Sequence, residues 1–172
     1  MVLRPPRVED VPALTVACQD AEIGRWTLLP SPYREEHAWE WVDAQPEEHR
    51  VGLLAVDLAT EELLGSVGLE EIDRERGRAE IGFWTAPWAR RRGTAVRAVR
   101  LLSGWAFDTL ALPRLQALVR EENHLSQRVL ERAGFTREGV LRSYEEIKGE
   151  RRDIAIFSRL AEEEMPGSRS SR

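Results

Sequence analysis

Apolar positions recur along this chain at two spacings, and each change of spacing marks an element. Val2 to Arg4 reads as a short strand closed by Pro5-Pro6. From Glu9 to Gln19, Val11, Leu14, Ala17 and Cys18 fall at helical spacing, with acids in the first turn. Ile23 to Pro32 shows no period and reads as irregular. Glu35 to Ala44 predicts a second helix carrying Trp39 and Trp41. The pattern then becomes strand-like over Val51 to Leu58, Leu63 to Ile72 and Arg78 to Ala86. Their short polar connections, Glu61-Glu62 and Arg74 to Gly77, predict an antiparallel meander that Pro87 ends.

Helical spacing returns from Thr94 to Leu110, where Ala95, Ala98, Val99, Leu102 and Ala106 make the buried stripe. Beyond Pro113, Leu115 to Val119 reads as a central strand. Asn123 to Ala133 reads as a helix stopped by Gly134. Phe135 to Tyr144 and Arg151 to Leu160 read as two last strands with Lys148-Gly149 in their turn, and residues 162–172 form a polar tail. The sum is a single α+β domain over residues 1–161: a mostly antiparallel, mixed sheet of six to seven strands with helices on both faces.

Composition supports one globular domain, with 172 residues, 42% hydrophobic and 32% charged. No apolar run approaches the roughly 20 residues that span a membrane, and Met1 to Pro6 lacks the apolar core of a signal peptide. A cytoplasmic protein without a membrane partner is the expectation. The single cysteine, Cys18, excludes an intrachain disulfide and reads as a small core residue. His37, His49 and His124 lack ligand spacing, so no metal is expected.

Charge changes the picture more. The net charge is -5, yet Pro87 to Trp105 holds five arginines (90, 91, 92, 97 and 100) and no acid. A local basic patch on an acidic body suggests an anion bound at one place. An extended nucleic-acid footprint would need positive charge spread more widely, so nucleic acid is disfavoured as a partner. The patch lies where a strand ends and the long helix begins. Unpaired N–H groups and partial positive charge gather there. Gly93 and Ala95 are small enough for close approach, Thr94 can cap, and Arg90, Arg91 and Arg92 add full charges. These are the requirements of a diphosphate cradle. Neither G-x-x-x-x-G-K-[ST] nor G-x-G-x-x-G is present, which removes the common nucleotide loops. From the loop alone, a solvated connection remains an equal alternative.

The segment Arg90-Arg91-Arg92-Gly93-Thr94-Ala95 resembles the Q/R-x-x-G-x-G/A signature of GCN5-related N-acetyltransferases. Asn123-x-x-Ser126, Gly134-Phe135 and Glu138-Gly139 are similar to the N-x-x-S…GF…EG segment of the subgroup that acetylates N-termini of ribosomal proteins. Glu80-Ile81-Gly82-Phe83-Trp84, Val2 to Pro5 and Gly149 to Asp153 resemble further stretches of that subgroup, in the right order. Two positions depart from it: many relatives carry Gly where Arg91 stands and Glu where Arg97 stands.

The resemblance implies acetyl-CoA as co-substrate and direct attack by an amine in a ternary complex. The chain shows no Ser-His-Asp or Cys-His arrangement for an acyl-enzyme. An amine with a pKa near 10 must first lose a proton, and the developing oxyanion needs an N–H donor. The resemblance supplies that donor from backbone around Phe83, Trp84, Thr85 and Ala86. Glu80, Gly82 and Trp84 alternate onto one strand face, so Glu80 is a candidate base, with a cross-strand ion pair as its alternative. Capping explains Asn123 and Ser126 on physical grounds. The resemblance implies instead that Asn123 meets the pantetheine arm and that Ser126 protonates the departing thiolate. Spermidine acetyltransferases and many other relatives place a Tyr acid before the G-F pair. Leu130 stands there in this chain, which argues against those groups and for Ser126.

The acceptor is open. A protein or peptide N-terminus is the first choice and a small-molecule amine, antibiotics included, the second. Trp26 and Tyr33 are candidate lining, and core packing suits Trp39 and Trp41. A non-catalytic acyl-CoA-binding module, an RNA-associated protein and a homodimer stay open as alternatives.

Overall fold

The structure is a computed structural model that describes residues 1–44, 48–147 and 149–163. Its seven strands are β1 (Val2–Arg4), β2 (Val51–Val56), β3 (Leu63–Asp73), β4 (Arg78–Thr85), β5 (Arg114–Arg120), β6 (Thr136–Ile147) and β7 (Glu150–Leu160). Its helices are α1 (Val11–Cys18), α2 (Ala21–Trp26), α3 (Glu35–Asp43), α4 (Thr94–Leu110) and α5 (His124–Ala133). One sheet runs in the order β1-β2-β3-β4-β5-β7-β6. Only β4 and β5 pair in parallel, and they do so over three residue pairs, Arg78–Arg114, Ala79–Leu115 and Glu80–Gln116. Helix α4 makes that crossover.

Helices lie on both faces. Gly52 of β2 faces Trp41 of α3, and a Cβ at Gly52 would stand 3.0 Å from that ring. Its neighbours Val51 and Leu53 face Leu102 and Trp105 of α4, as strand alternation requires. The core between sheet and helices is built from Leu14, Leu54, Val67, Leu69, Val99, Leu102, Leu115, Leu130 and Phe157, each almost wholly buried.

The structure departs from the sequence reading at several places. Helix α2 occupies part of the stretch read as irregular. It is six residues long, too short to show a period, and the Asp20 carboxylate caps it by accepting from Glu22 N and Ile23 N at 3.1 and 3.0 Å. Helix α1 begins at Val11, after a 3-10 turn over Val8–Asp10. Strand β2 stops at Val56. Strand β6 runs on to Ile147 through an irregularity between Leu141 and Glu145, where Ser143 takes φ 51°. Trp39 is 43% exposed, with its indole N–H on Glu35, so it is a surface residue and not core. Lys148 and residues 164–172 fall outside the described residues.

Two ion-pair clusters pin the sheet's ends. Arg4 grips Asp10 with two hydrogen bonds of 2.7 Å, and Arg7 N donates to the same carboxylate. Arg114 of β5 holds Glu138 of β6 at 2.8 and 2.6 Å, and Ser158 of β7 donates to Glu138 at 2.6 Å. Arg114 and Ser158 together hold the Glu138 carboxyl down at about 2.

Candidate active site

Strand β4 leaves β5 after Glu80 but stays paired with β3 as far as Thr85. The sheet therefore splits along one edge of β4. Gly65 permits the continued β3–β4 approach: its φ is 156°, and a Cβ there would lie 2.4 Å from the Trp84 carbonyl oxygen. Ala86 N donates to Leu64 O at 3.0 Å, so that amide is spent on β3. Strand alternation turns the amide of Trp84 the same way and those of Phe83 and Thr85 into the split. Of the four residues from Phe83 to Ala86, two present N–H groups to the opening.

A cleft of about 1060 Å³ fills the split and spreads over the α1–α3 face of the sheet. Glu80, Phe83, Trp84, Asn123 and Ser126 all line it, joined by Trp26, Tyr33, Trp41 and Tyr144. Gly82 is exposed, and a Cβ there would meet nothing within 4 Å, so the floor between Glu80 and Trp84 is open.

Glu80 is half-buried and has no ion pair among the described residues. Burial pushes its carboxyl up to about 7, aided by the charges of Glu71, Glu145 and Glu70. Its cross-strand neighbour Glu70 takes the arginine instead, pairing with Arg50 at 3.0 Å.

Asn123 caps α5: its Oδ1 accepts from Ser126 N at 3.2 Å, which is the capping arrangement expected on physical grounds. Its amide nitrogen is left without a protein partner among the described residues. Ser126 stands half-buried one turn on, and its hydroxyl likewise has none. Leu130 is fully buried in the core.

The basic loop lies apart from the cleft lining, at the start of α4. Arg91 has φ 61° and Gly93 φ 72°, two left-handed residues of the kind that turn successive backbone amides toward an anion. The amides of Thr94, Ala95 and Val96 open the helix, since Arg97 N is the first to bond back, to Gly93 O at 3.1 Å. The expected cap is reassigned. Gly93 is the N-cap, and Thr94 is buried with its hydroxyl donating to Ala89 O at 3.0 Å, which closes the loop. Arg91 and Arg92 are exposed, whereas Arg90 reaches back to Asp20.

Cys18 is buried beside Tyr33, and burial pushes its thiol up to about 12, an inert state. No group of three or more His, Cys, Asp or Glu that could hold a metal occurs among the described residues. None of the described helices is long and apolar enough to cross a membrane.

A family model described as an acetyltransferase (GNAT) domain matches residues 1–136. The chain belongs to the GNAT acetyltransferase family. This N-acetyltransferase is 31% identical over 170 residues to the uncharacterised N-acetyltransferase p20 of Bacillus licheniformis, covering 95% of this chain and 94% of that one. It is 30% identical over 168 residues to YdaF of Bacillus subtilis, provisionally named a ribosomal N-acetyltransferase, covering 94% and 90%. Among solved structures, spermidine N-acetyltransferase from Vibrio cholerae in complex with CoA and spermine superposes with a TM-score of 0.77 at 23% identity, covering 93% of this chain and 95% of that one. That likeness is one of fold. The sequence reading of family and fold class stands.

Sequence reasoning missed three residues. Asp20, which holds Arg90, lay between the first predicted helix and the stretch read as irregular. Glu71 and Glu145 line the cleft from a strand bulge and a strand end. The signal for Asp20 was Asp followed by Glu two residues on, ahead of an i,i+4 Glu22–Trp26 pair.

Proposed function

We propose that this enzyme transfers the acetyl group of acetyl-CoA directly to a primary amine that carries a further positive charge, with both substrates bound at once. The observation that carries this reading is Glu80, a half-buried carboxylate titrating near 7 beside an open floor, in a cleft shared with Ser126. The loop of Arg90, Arg91, Arg92, Gly93, Thr94 and Ala95 suits the diphosphate: free amides, left-handed backbone and full positive charges act on one anion. The free amide nitrogen of Asn123 is suited to a pantetheine carbonyl.

Glu80 takes a proton from the ammonium, directly or through water. The amine nitrogen then attacks the thioester carbon, forming a C–N bond as the C–S bond breaks. An N–H of Phe83 or Thr85 donates to the developing oxyanion. Ser126 gives its proton to the departing sulfur and regains one from the second proton lost by the amine nitrogen, directly or through water. Holding both substrates in the split supplies much of the rate.

Glu71 and Glu145 support the charge preference. Both line the cleft, both raise the Glu80 titration, and neither has an ion pair among the described residues. A second cationic group on the acceptor supplies the missing partner.

The test follows CoA release from acetyl-CoA over an amine panel. A linear diamine should show kcat/KM about tenfold above a monoamine of equal length. The E71Q/E145Q double variant should erase that preference. Equal rates for the two amines would remove the dicationic acceptor, and no CoA release with any amine would remove the transfer reading. A peptide N-terminus is the second reading, favoured by the likeness to YdaF over nearly the whole chain. Peptides in the same panel decide it.

A further inference from the structure

Asp20 and Arg90 are 70 residues apart in sequence, yet Arg90 Nη2 donates to Asp20 Oδ1 at 2.5 Å and Nη1 to Oδ2 at 3.5 Å. Asp20 Oδ1 also accepts from Glu22 N and Ile23 N, which starts α2. That helix ends at Trp26, and Trp26, Thr27 and Leu28 form one wall of the acceptor cleft. A second tie holds the other end, where Arg120 donates to the Arg25 carbonyl at 2.8 Å and lies 5.8 Å from the Trp26 ring. Helix α2 is thus strung between the basic loop and β5. Arg91 and Arg92 form no ion pair among the described residues, so Arg90 alone of the three arginines is already committed to an anion.

We propose that Asp20 is a positioning residue that competes with the CoA diphosphate for the Arg90 guanidinium, so that filling the donor site unties the helix forming the acceptor wall. The proposal rests on the reading of Arg90 to Ala95 as the donor loop. A diphosphate brings more negative charge than one carboxylate, and it also meets the free amides at the start of α4. It therefore draws Arg90 away. Asp20 keeps its two amide bonds, and α2 retains its cap but loses its anchor to the loop. Asp20 thereby sets donor affinity while touching neither substrate.

The pair sits partly in solvent, with side-chain exposures of 35% and 21%, so the competition is modest. Asp20→Asn separates the two jobs, because Asn caps helices as well as Asp does but brings no charge. CoA titrated calorimetrically into the wild type, D20N, R90Q and the double variant gives the reading. D20N should bind CoA about two- to fivefold tighter than wild type. In the R90Q background, D20N should change nothing. A residue with only a structural role would weaken CoA binding or leave it alone, and either result for D20N overturns the proposal. Hydrogen exchange on the wild type adds an arm that needs no variant. The Thr27 amide, bonded to Ile23 O at 3.0 Å, should exchange faster with CoA bound. Unchanged exchange there would mean the tether stays closed and would also overturn it. Should the wild type fail to bind CoA, the donor-loop reading itself falls. Should it bind while D20N merely matches it, only the competition falls.

Discussion

Replacing Glu80 by Gln removes a carboxyl that titrates near 7 in place of its ordinary 4.5. With that midpoint, about one molecule in ten carries the charged base at pH 6 and about nine in ten at pH 8. A rate that passes through Glu80 therefore rises about tenfold across that interval. In E80Q the kcat/KM profile should lose this limb and fall by about 100- to 1000-fold at pH 8. Glu71→Gln and Glu145→Gln each remove a charge that raises the midpoint, so both should move the limb to lower pH. Burial is the larger cause, so neither returns it to the ordinary value. Stability supplies an independent sign. The unfolded chain ionises this group first, so wild type loses stability as pH rises from about 4.5 to about 7. E80Q escapes that loss. It should melt higher than wild type at pH 8, by on the order of 1–2 kcal/mol after allowance for partial exposure, and level with it at pH 4. The assay is a pH series of CoA release paired with thermal melts. An E80Q profile with the same inflection as wild type would refute the assignment of that titration to Glu80.

Four further outcomes are expected. Gly82→Val should raise the amine KM at least about tenfold with little change in melting, because the new side chain enters open space above the floor; an unchanged amine KM would move the acceptor elsewhere. Ser126→Ala should lower kcat with CoA affinity intact, and turnover unchanged across the pH range would remove its role as acid. Asp10→Ala should cost about 2–3 kcal/mol in denaturant melts, since Arg4 is left 14% exposed with no anion and only the Pro5 carbonyl to donate to. Burial alone would push the Asp10 carboxyl up, but Arg4 and the Arg7 amide outweigh it, so the cost should be full above the ordinary carboxyl range and vanish as pH falls below it. Arg91→Gly should stabilise the fold by about 0.5–1 kcal/mol, since a left-handed arginine at φ 61° is relieved, while weakening CoA binding a few fold through the lost charge. Equal melting temperatures would refute that strain.

Strand alternation and helical stripes carried most of the fold in the sequence. Leu14, Leu102 and Ala106 lie where their spacing put them, and Pro87 ends β4 as expected. What stayed hidden was set by tertiary contact. The six residues of α2 hold their shape through Asp20 and its partner on a distant loop, and no local period reports that. The extension of β6 to Ile147 depends on pairing with β7 across a bulge. At the candidate site, Glu80 was legible from its alternation with Gly82 and Trp84 on one strand face, and the Arg90 to Ala95 loop from its place at a helix start. The partners that tune them were not. Glu71 and Glu145 reach Glu80 from irregularities in β3 and β6, and Ala86 spends its amide on β3, away from the split. The departure at Arg91, where the family resemblance carries Gly, falls at a backbone angle that suits glycine.

The short parallel seam between β4 and β5 has a consequence for the order in which the molecule assembles. Strands β1 to β4 form one antiparallel block and β5 to β7 another, each closed by pairings internal to itself. Only three residue pairs join them along the sheet, with Glu80 at the last. The hairpins β2–β3, β3–β4 and β6–β7 pair neighbouring stretches of chain, while the seam must wait for α4 to complete its crossover. The proposed base and acid stand on opposite banks of that seam, Glu80 on one block and Ser126 on the other. Turnover therefore reports the docking of two halves, and a lesion that loosens the seam should silence the enzyme while each half still shows native secondary structure.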